Sequence, residues 1–176
     1  RGCPVELRMA EGGFHRGGTS STLALSGPGQ ATASRRGVPR GIAIGRAPCQ
    51  YDAASGGRGF AIVIKTVETD HFASGLWVGL TATSPSALAA RAARGQRTDF
   101  AADVPDSCVA GGEGVLWDGL SCLETNWSTG QLVAGAEISI FLLEHGGFRV
   151  CLNGSVVIAA SKVHLPLGCA VYPLLE

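Results

Sequence analysis

The sequence predicts an all-β protein, an antiparallel two-sheet β-sandwich with one short helix near residues 85–94. The first observation is that the 176 residues include 26 glycines and 8 prolines, so the chain turns often and favours many short strands over long helices. The second is that apolar and polar residues alternate in short segments, which is the period of a strand. The third is a pair of glycine-rich turns at 144–147 and 153–154, the latter with the Asn-Gly pair typical of two-residue hairpins.

The N-terminal half is predicted to hold four strands. Residues 1–13 show no clear period and are interpreted as a leader or an edge strand ahead of one domain spanning 14–176. Residues 51–59, rich in glycine and small polar residues, are predicted to form a loop. The predicted strands cover 23–26, 42–45, 60–67 and 76–82.

One helix is well marked in the middle of the chain. Ser84 can cap it, Pro85 suits its first position, and Gly95 can end it after an alanine-rich run. Residues 96–113 are polar and interrupted by Pro105, so we expect them to form a loop. The final third predicts strands at 115–117, 120–123, 136–143, 148–152, 156–158 and 170–172.

Charge and hydropathy exclude several functions. With 14 Lys+Arg against 14 Asp+Glu, the net charge is zero and there is no basic run to bind nucleic acid. No stretch of 18 apolar residues predicts a membrane span, and the first residues do not have the apolar core of a signal peptide. We therefore expect an intracellular, cytoplasmic module.

Nothing in the cysteine and histidine pattern predicts a metal, a cofactor or a catalytic site. The six cysteines are scattered without a Cys-x-x-Cys pair or zinc spacing, although their even number leaves a disulfide framework open. No nucleophile elbow, metalloprotease helix or phosphate-binding loop occurs. A nucleophile built from Cys49, Cys108 or Cys122 with a histidine stays open as the weaker alternative to a non-enzymatic protein.

The order of motifs along residues 14–176 resembles the Neuralized homology repeat (NHR, or NEUZ) domain, a relative of the SPRY/concanavalin-like β-sandwich. No single motif is specific, and the resemblance rests on their order. The motifs are Phe14-His15, Ala33-Ser34-Arg35, residues 41–48, residues 74–81 with Ser84-Pro85, Trp117, Asn126-Trp127 with 132–136, residues 148–154 and residues 165–175.

This resemblance implies a jelly-roll sandwich that binds a peptide segment of a partner protein. It also implies a role as the substrate-recognition part of a ubiquitin ligase. The chain contains no RING-type Cys/His array, so any ligase activity would lie outside it. A scaffold module of a cytoskeletal or centrosomal assembly, which could self-associate, and a carbohydrate-binding sandwich are the alternatives.

The candidate binding residues lie in predicted loops, where a rigid sandwich presents its contacts. The arginines between 35 and 46 could form a basic lip for an acidic peptide, because guanidinium groups bind carboxylates through two hydrogen bonds. Trp127 sits in a polar segment and is expected to be half-exposed, whereas Trp77 and Trp117 are expected in the core. The full candidate set is Arg35, Arg36, Arg40, Arg46, His71, Phe72, Ser74, Asn126 and Trp127.

Overall fold

A computed structural model describes residues 5–10, 12–19, 23–35, 41–66, 76–112, 114–128 and 132–176. In this part of the chain, the strands form two antiparallel sheets that pack face to face. The predicted all-β, two-sheet sandwich with one helix is confirmed.

The larger sheet has eight described strands in the order β13-β12-β11-β6-β1-β3-β2, and β5 also pairs with β6. Two tight hairpins join its last three strands, as the glycine-rich turns predict. Its strands are β1 (Val5–Met9), β2 (Leu23–Ser26), β3 (Thr32–Arg35), β5 (Gln50–Asp52), β6 (Gly57–Thr66), β11 (Glu137–Leu143), β12 (Phe148–Leu152) and β13 (Ser155–Ala160).

The smaller sheet has six described strands in the order β10-β9-β8-β7-β14-β4. A single α-helix, α1 (Pro85–Ala93), follows β7 and lies on the outer face of this sheet. The strands are β4 (Ala43–Ile44), β7 (Trp77–Thr81), β8 (Ser107–Gly111), β9 (Val115–Trp117), β10 (Cys122–Glu124) and β14 (Tyr172–Leu175).

Two apolar layers hold the fold together. The main core lies between the sheets, where Ile62, Ile138 and Ile140 of the larger sheet are fully buried opposite Val78 and Leu80 of the smaller one. The second layer joins the outer face of the smaller sheet to α1. Its buried members are Ile42, Ile44, Leu88, Ala101, Val104, Val109 and Leu174, and Trp77 and Trp117 pack against them half-buried.

Four local expectations need correction. Val5–Met9 is an interior strand between β3 and β6, so it is not an edge strand. Residues 51–59 are not a loop, because Gln50–Asp52 pairs with Gly57–Gly59 around a four-residue turn. Residues 96–113 contain β8, a strand buried along its whole length. The strands expected at 120–123 and 170–172 lie at Cys122–Glu124 and Tyr172–Leu175.

Candidate functional site at the Arg35 end of the sandwich

The sandwich has two ends, which we name after the arginine at each. At the Arg35 end, Arg35 is opposite Val5 and Thr66 is opposite Glu6 on the neighbouring strand β1. Antiparallel pairing therefore places the end of β3 and the end of β6 side by side. The chain next re-enters the described structure at Gly41 and Leu76, just before β4 and β7 of the smaller sheet.

A third connection between the sheets lies at the same end. Residues 125–136 run from Glu124, the last residue of β10, to Glu137, the first residue of β11. The backbone of Ile64 bonds both Ala136 O (2.9 Å) and Gly135 N (2.8 Å), near the end of β6. Three connections from one sheet to the other thus start or finish at the Arg35 end.

Most of the predicted binding residues belong to two of these connections. Arg35 ends β3, and only its backbone is described. The predictions for Arg36, Arg40, His71, Phe72 and Ser74 lie outside the described residues. Arg35 and Thr66, the last described residues before these two segments, both lie at this end. The strands that lead to the arginines and to His71-Phe72 therefore end close together in the fold, although the two segments are far apart in sequence.

Asn126 and Trp127 lie in the third connection but differ in exposure. Asn126 is exposed, whereas Trp127 is only 3% exposed and belongs to the main core, of which Leu132 and Ala136 are also members. The expected half-exposure of Trp127 is wrong. Its indole Nε1 and the Thr125 hydroxyl are buried without a hydrogen-bond partner among the described residues.

Arg46 does not lie with Arg35. Its guanidinium donates to Gly29 O (3.1 Å) and Gln30 Oε1 (3.4 Å), and its backbone N–H bonds Gly13 O. Gly29 and Gln30 belong to the turn before β3, whereas Arg35 is the last residue of β3. Arg46 therefore fastens a turn at the opposite end of that strand, and the four arginines do not form one continuous lip.

A cavity of about 360 Å³ opens beside the Arg35 end, on the outer face of the smaller sheet. Ile42, which directly precedes β4, forms part of its floor. Helix α1 forms one wall and the short 3-10 turn Arg16–Gly18 another, and their close approach requires Gly18, because a Cβ there would press on Ile44 and Pro85. The lining is Gly17, Gly18, Thr19, Ile42, Leu88, Ala92, Gln96, Arg97, Thr98 and Asp99.

The sequence does not indicate this cavity, although it predicts the strand of its floor and the helix of one wall. The strand around Ile42 and the helix after Ser84 were both expected, but no local pattern brings Gly17–Thr19 against them. His15 is the sequence feature that relates to this turn, since its Nδ1 accepts a hydrogen bond from Gly18 N (3.0 Å) and closes the 3-10 turn.

The opposite, Arg46 end carries a buried carboxylate. Asp118 is 5% exposed, and its Oδ1 accepts from Leu120 N (2.9 Å), Ser121 N (2.7 Å) and the Ser121 hydroxyl (3.2 Å). Its Oδ2 lies 3.1 Å from His164 Nδ1. Burial opposes ionisation, but these donors outweigh it and hold the pKa of Asp118 below its ordinary value.

The described cysteines are free, and the three buried ones are not activated thiols. Burial raises the pKa of Cys49 to about 12 and also raises the pKa of Cys108 and Cys151, so all three are neutral thiols at pH 7. Cys122 and Cys169 are exposed. No disulfide joins the cysteines of the described residues.

The described residues contain neither a metal-binding cluster nor a helix that could span a membrane. No group of three or more His, Cys, Asp or Glu side chains in this part of the chain is arranged to hold a metal ion. Within the same residues, α1 and the other helical segments are too short or too polar to cross a bilayer. Comparison with protein-family models and with curated proteins found no match to this chain.

Proposed function

We propose that this chain is a non-enzymatic protein-interaction module of the Neuralized homology repeat type, which binds a peptide segment of a partner protein at the Arg35 end. The observation that carries the proposal is that the described ends of three connections between the sheets lie at the same end of the sandwich. Loops held on such a scaffold are where binding residues concentrate. The order of motifs that resembles the NHR family supports the same reading.

The chemistry of these connections favours an acidic segment. Arg35, Arg36 and Arg40 follow one another closely along the first connection, and His71 and Phe72 belong to the second. Arginine binds carboxylates through paired hydrogen bonds, and an aromatic ring supplies apolar contact area. Presentation of the captured protein to a ubiquitin ligase would then require a catalytic partner outside this chain.

The test is a pull-down with the isolated domain as bait, followed by mapping of the bound peptide segments. The variant Arg35→Glu/Arg36→Glu/Asn126→Glu should lose at least about tenfold of the captured partner, because it replaces two cations and a neutral amide by carboxylates that repel an acidic segment. Trp127 is left intact because its burial makes it a core residue. Arg8→Glu, an exposed arginine in the middle of β1, is the matched control and should capture the partner normally.

Other outcomes distinguish the alternative functions. Equal capture by the triple variant and by Arg8→Glu would reject the Arg35 end as the binding surface. A saturable signal on a glycan array would favour the carbohydrate-binding reading, and a concentration-dependent dimer in sedimentation would favour the scaffold.

A further inference from the structure

We propose that the cavity between α1 and residues 17–19 receives a branched apolar side chain of the bound peptide together with an adjacent carboxylate. This inference rests on the proposed function, since it supplies the pocket that would give the Arg35 end its specificity. In peptide recognition, the main chain commonly provides affinity and a side-chain pocket selects the sequence.

The cavity is connected to the Arg35 end through described residues. Ala43, the residue after Ile42, pairs with Leu175, and the neighbouring Glu176 accepts a hydrogen bond from Ala101 N (2.8 Å) through its side chain. Residues 96–99 of the lining therefore lie at the end where Gly41 and Leu76 re-enter the structure. A peptide bound across the Arg35 end can reach this cavity without crossing the sheet.

The floor of the cavity is apolar and its size suits one or two side chains. Ile42 and Leu88 are 3% and 5% exposed, and Ala92 continues the same stripe of α1 one turn later. Cavities for small ligands range from about 300 to 1,000 Å³, so a volume of about 360 Å³ fits an anchor residue rather than a large cofactor.

The charge around the cavity favours an anion. Arg97 and Asp99 both belong to the lining, and no ion pair joins them in the described part of the chain. The two wall elements add only positive charge, from Arg16 on the 3-10 turn and from Arg91 in the last turn of α1. The walls and lining together carry three arginines and one aspartate, which is complementary to a carboxylate.

One buried donor of the lining lacks an acceptor. The Thr19 hydroxyl is buried without a partner among the described residues. The Nε of Arg91, one turn beyond Leu88 on α1, is also buried and unpartnered there, but Arg91 is not part of the lining. Buried donors without acceptors are costly, and a carboxylate supplies several acceptor sites at once.

The probe is a minimal mimic, 4-methylpentanoate, which carries a branched apolar chain and one carboxylate. We expect its titration into the isotope-labelled domain to give saturable amide shifts at Gly17, Gly18, Thr19 and residues 97–99. The neutral isostere 4-methylpentanamide should bind the same amides about threefold more weakly, as expected for a partly exposed charge contact.

Variants then separate the pocket from its charge. Arg97→Gln should remove the preference for the carboxylate, and Ala92→Leu should abolish binding of both probes by filling the cavity. Arg94→Gln is the matched control, because Arg94 caps α1 without lining the cavity. Should Ala92→Leu disturb the amide spectrum as a whole, Arg97→Gln still tests the charge without altering cavity volume.

Absence of saturable shifts at these amides, or equal affinity for the two probes in the unaltered protein, would overturn the inference. This experiment needs no partner protein. A negative titration with normal capture in the pull-down therefore rejects the cavity alone, whereas a positive titration with unaltered capture by the triple variant rejects the Arg35 surface.

Discussion

At the scale of single residues, Asp118 is the clearest case of a side chain whose role follows from its hydrogen bonds. The sequence places it in a short polar segment between two strands, with nothing to indicate burial. In the structure it accepts from two backbone N–H groups and one hydroxyl and contacts His164, which lies in the segment between β13 and β14. The carboxylate therefore ties the turn after β9 to a segment distant in sequence.

We predict that Asp118→Asn lowers the free energy of unfolding by about 1–3 kcal/mol at pH 7, the cost of weakening hydrogen bonds to a charged group. The folded-state pKa of Asp118 lies below its unfolded value, so the ionised group stabilises the fold above the unfolded pKa. That contribution is lost as pH falls through the folded pKa. In urea unfolding across the acid range, the free energy of unfolding should fall less steeply with decreasing pH in the variant than in the unaltered protein. Parallel pH profiles of the two proteins would contradict the role assigned to Asp118.

Trp127 shows why exposure could not be judged from local sequence. Its neighbours Thr125, Asn126 and Ser128 are polar and suggest a surface segment. The indole is nevertheless only 3% exposed and belongs to the main core, of which Leu132 and Ala136 are also members. Burial here is decided by tertiary contacts, whereas sequence windows report only the local alternation of polarity.

At the scale of elements, those whose signals are local were predicted well. Helix α1 is predicted by Ser84, Pro85 and the alanine run. The hairpin is predicted by the Asn153-Gly154 pair, because these residue types readily adopt the positive φ of a two-residue turn, and their φ values are 49° and 80°. Strands β5 and β8 were missed, because glycine and proline near them resemble loops and pairing with β6 and β7 stabilises them.

The cap of α1 gives a prediction at this scale. Ser84 Oγ accepts from Ala87 N at 3.2 Å, which satisfies one of the unpaired N–H groups of the first turn. Ser84→Ala should lower the free energy of unfolding by about 1 kcal/mol. Ser84→Thr should retain most of the stabilisation by the cap, because the hydroxyl remains. Thermal unfolding of the three proteins side by side measures this. Equal losses in the two variants would show that the hydroxyl does not act as the cap.

At the scale of the whole molecule, the smaller sheet is covered on both faces, by the larger sheet inside and by α1 outside. Which connections share one end follows only from this layering. The sequence order puts Arg35, Thr66 and Ala136 far apart, and the pairing of β1 with both β3 and β6, together with the hydrogen bonds of Ile64, places them at the same end. Such non-local pairing has no signature in a single sequence, so the candidate residues could be chosen by type but not grouped by position.

The double coverage predicts that the outer layer unfolds together with the main core. Leu88 of α1 is 5% exposed and packs in one cluster with Ile44 and Leu174, which belong to strands of the smaller sheet. Leu88→Ala should therefore lower the unfolding free energy by about 2–3 kcal/mol, because it leaves a cavity against these strand residues. Since the same strands also form one side of the main core, the variant should still unfold in a single transition at a lower temperature. Leu120→Ala, at a leucine 69% exposed, is the control and should change stability by less than about 0.5 kcal/mol.

The measurement is thermal unfolding followed at two wavelengths of circular dichroism, one sensitive to helix and one to strand. Coincident midpoints in Leu88→Ala mean that α1 and the smaller sheet form one cooperative unit, since residues of β4, β8 and β14 take part in the outer apolar layer. A helix signal lost several degrees before the strand signal would contradict this, because α1 would then be a separate unit docked on a sheet that is stable without it.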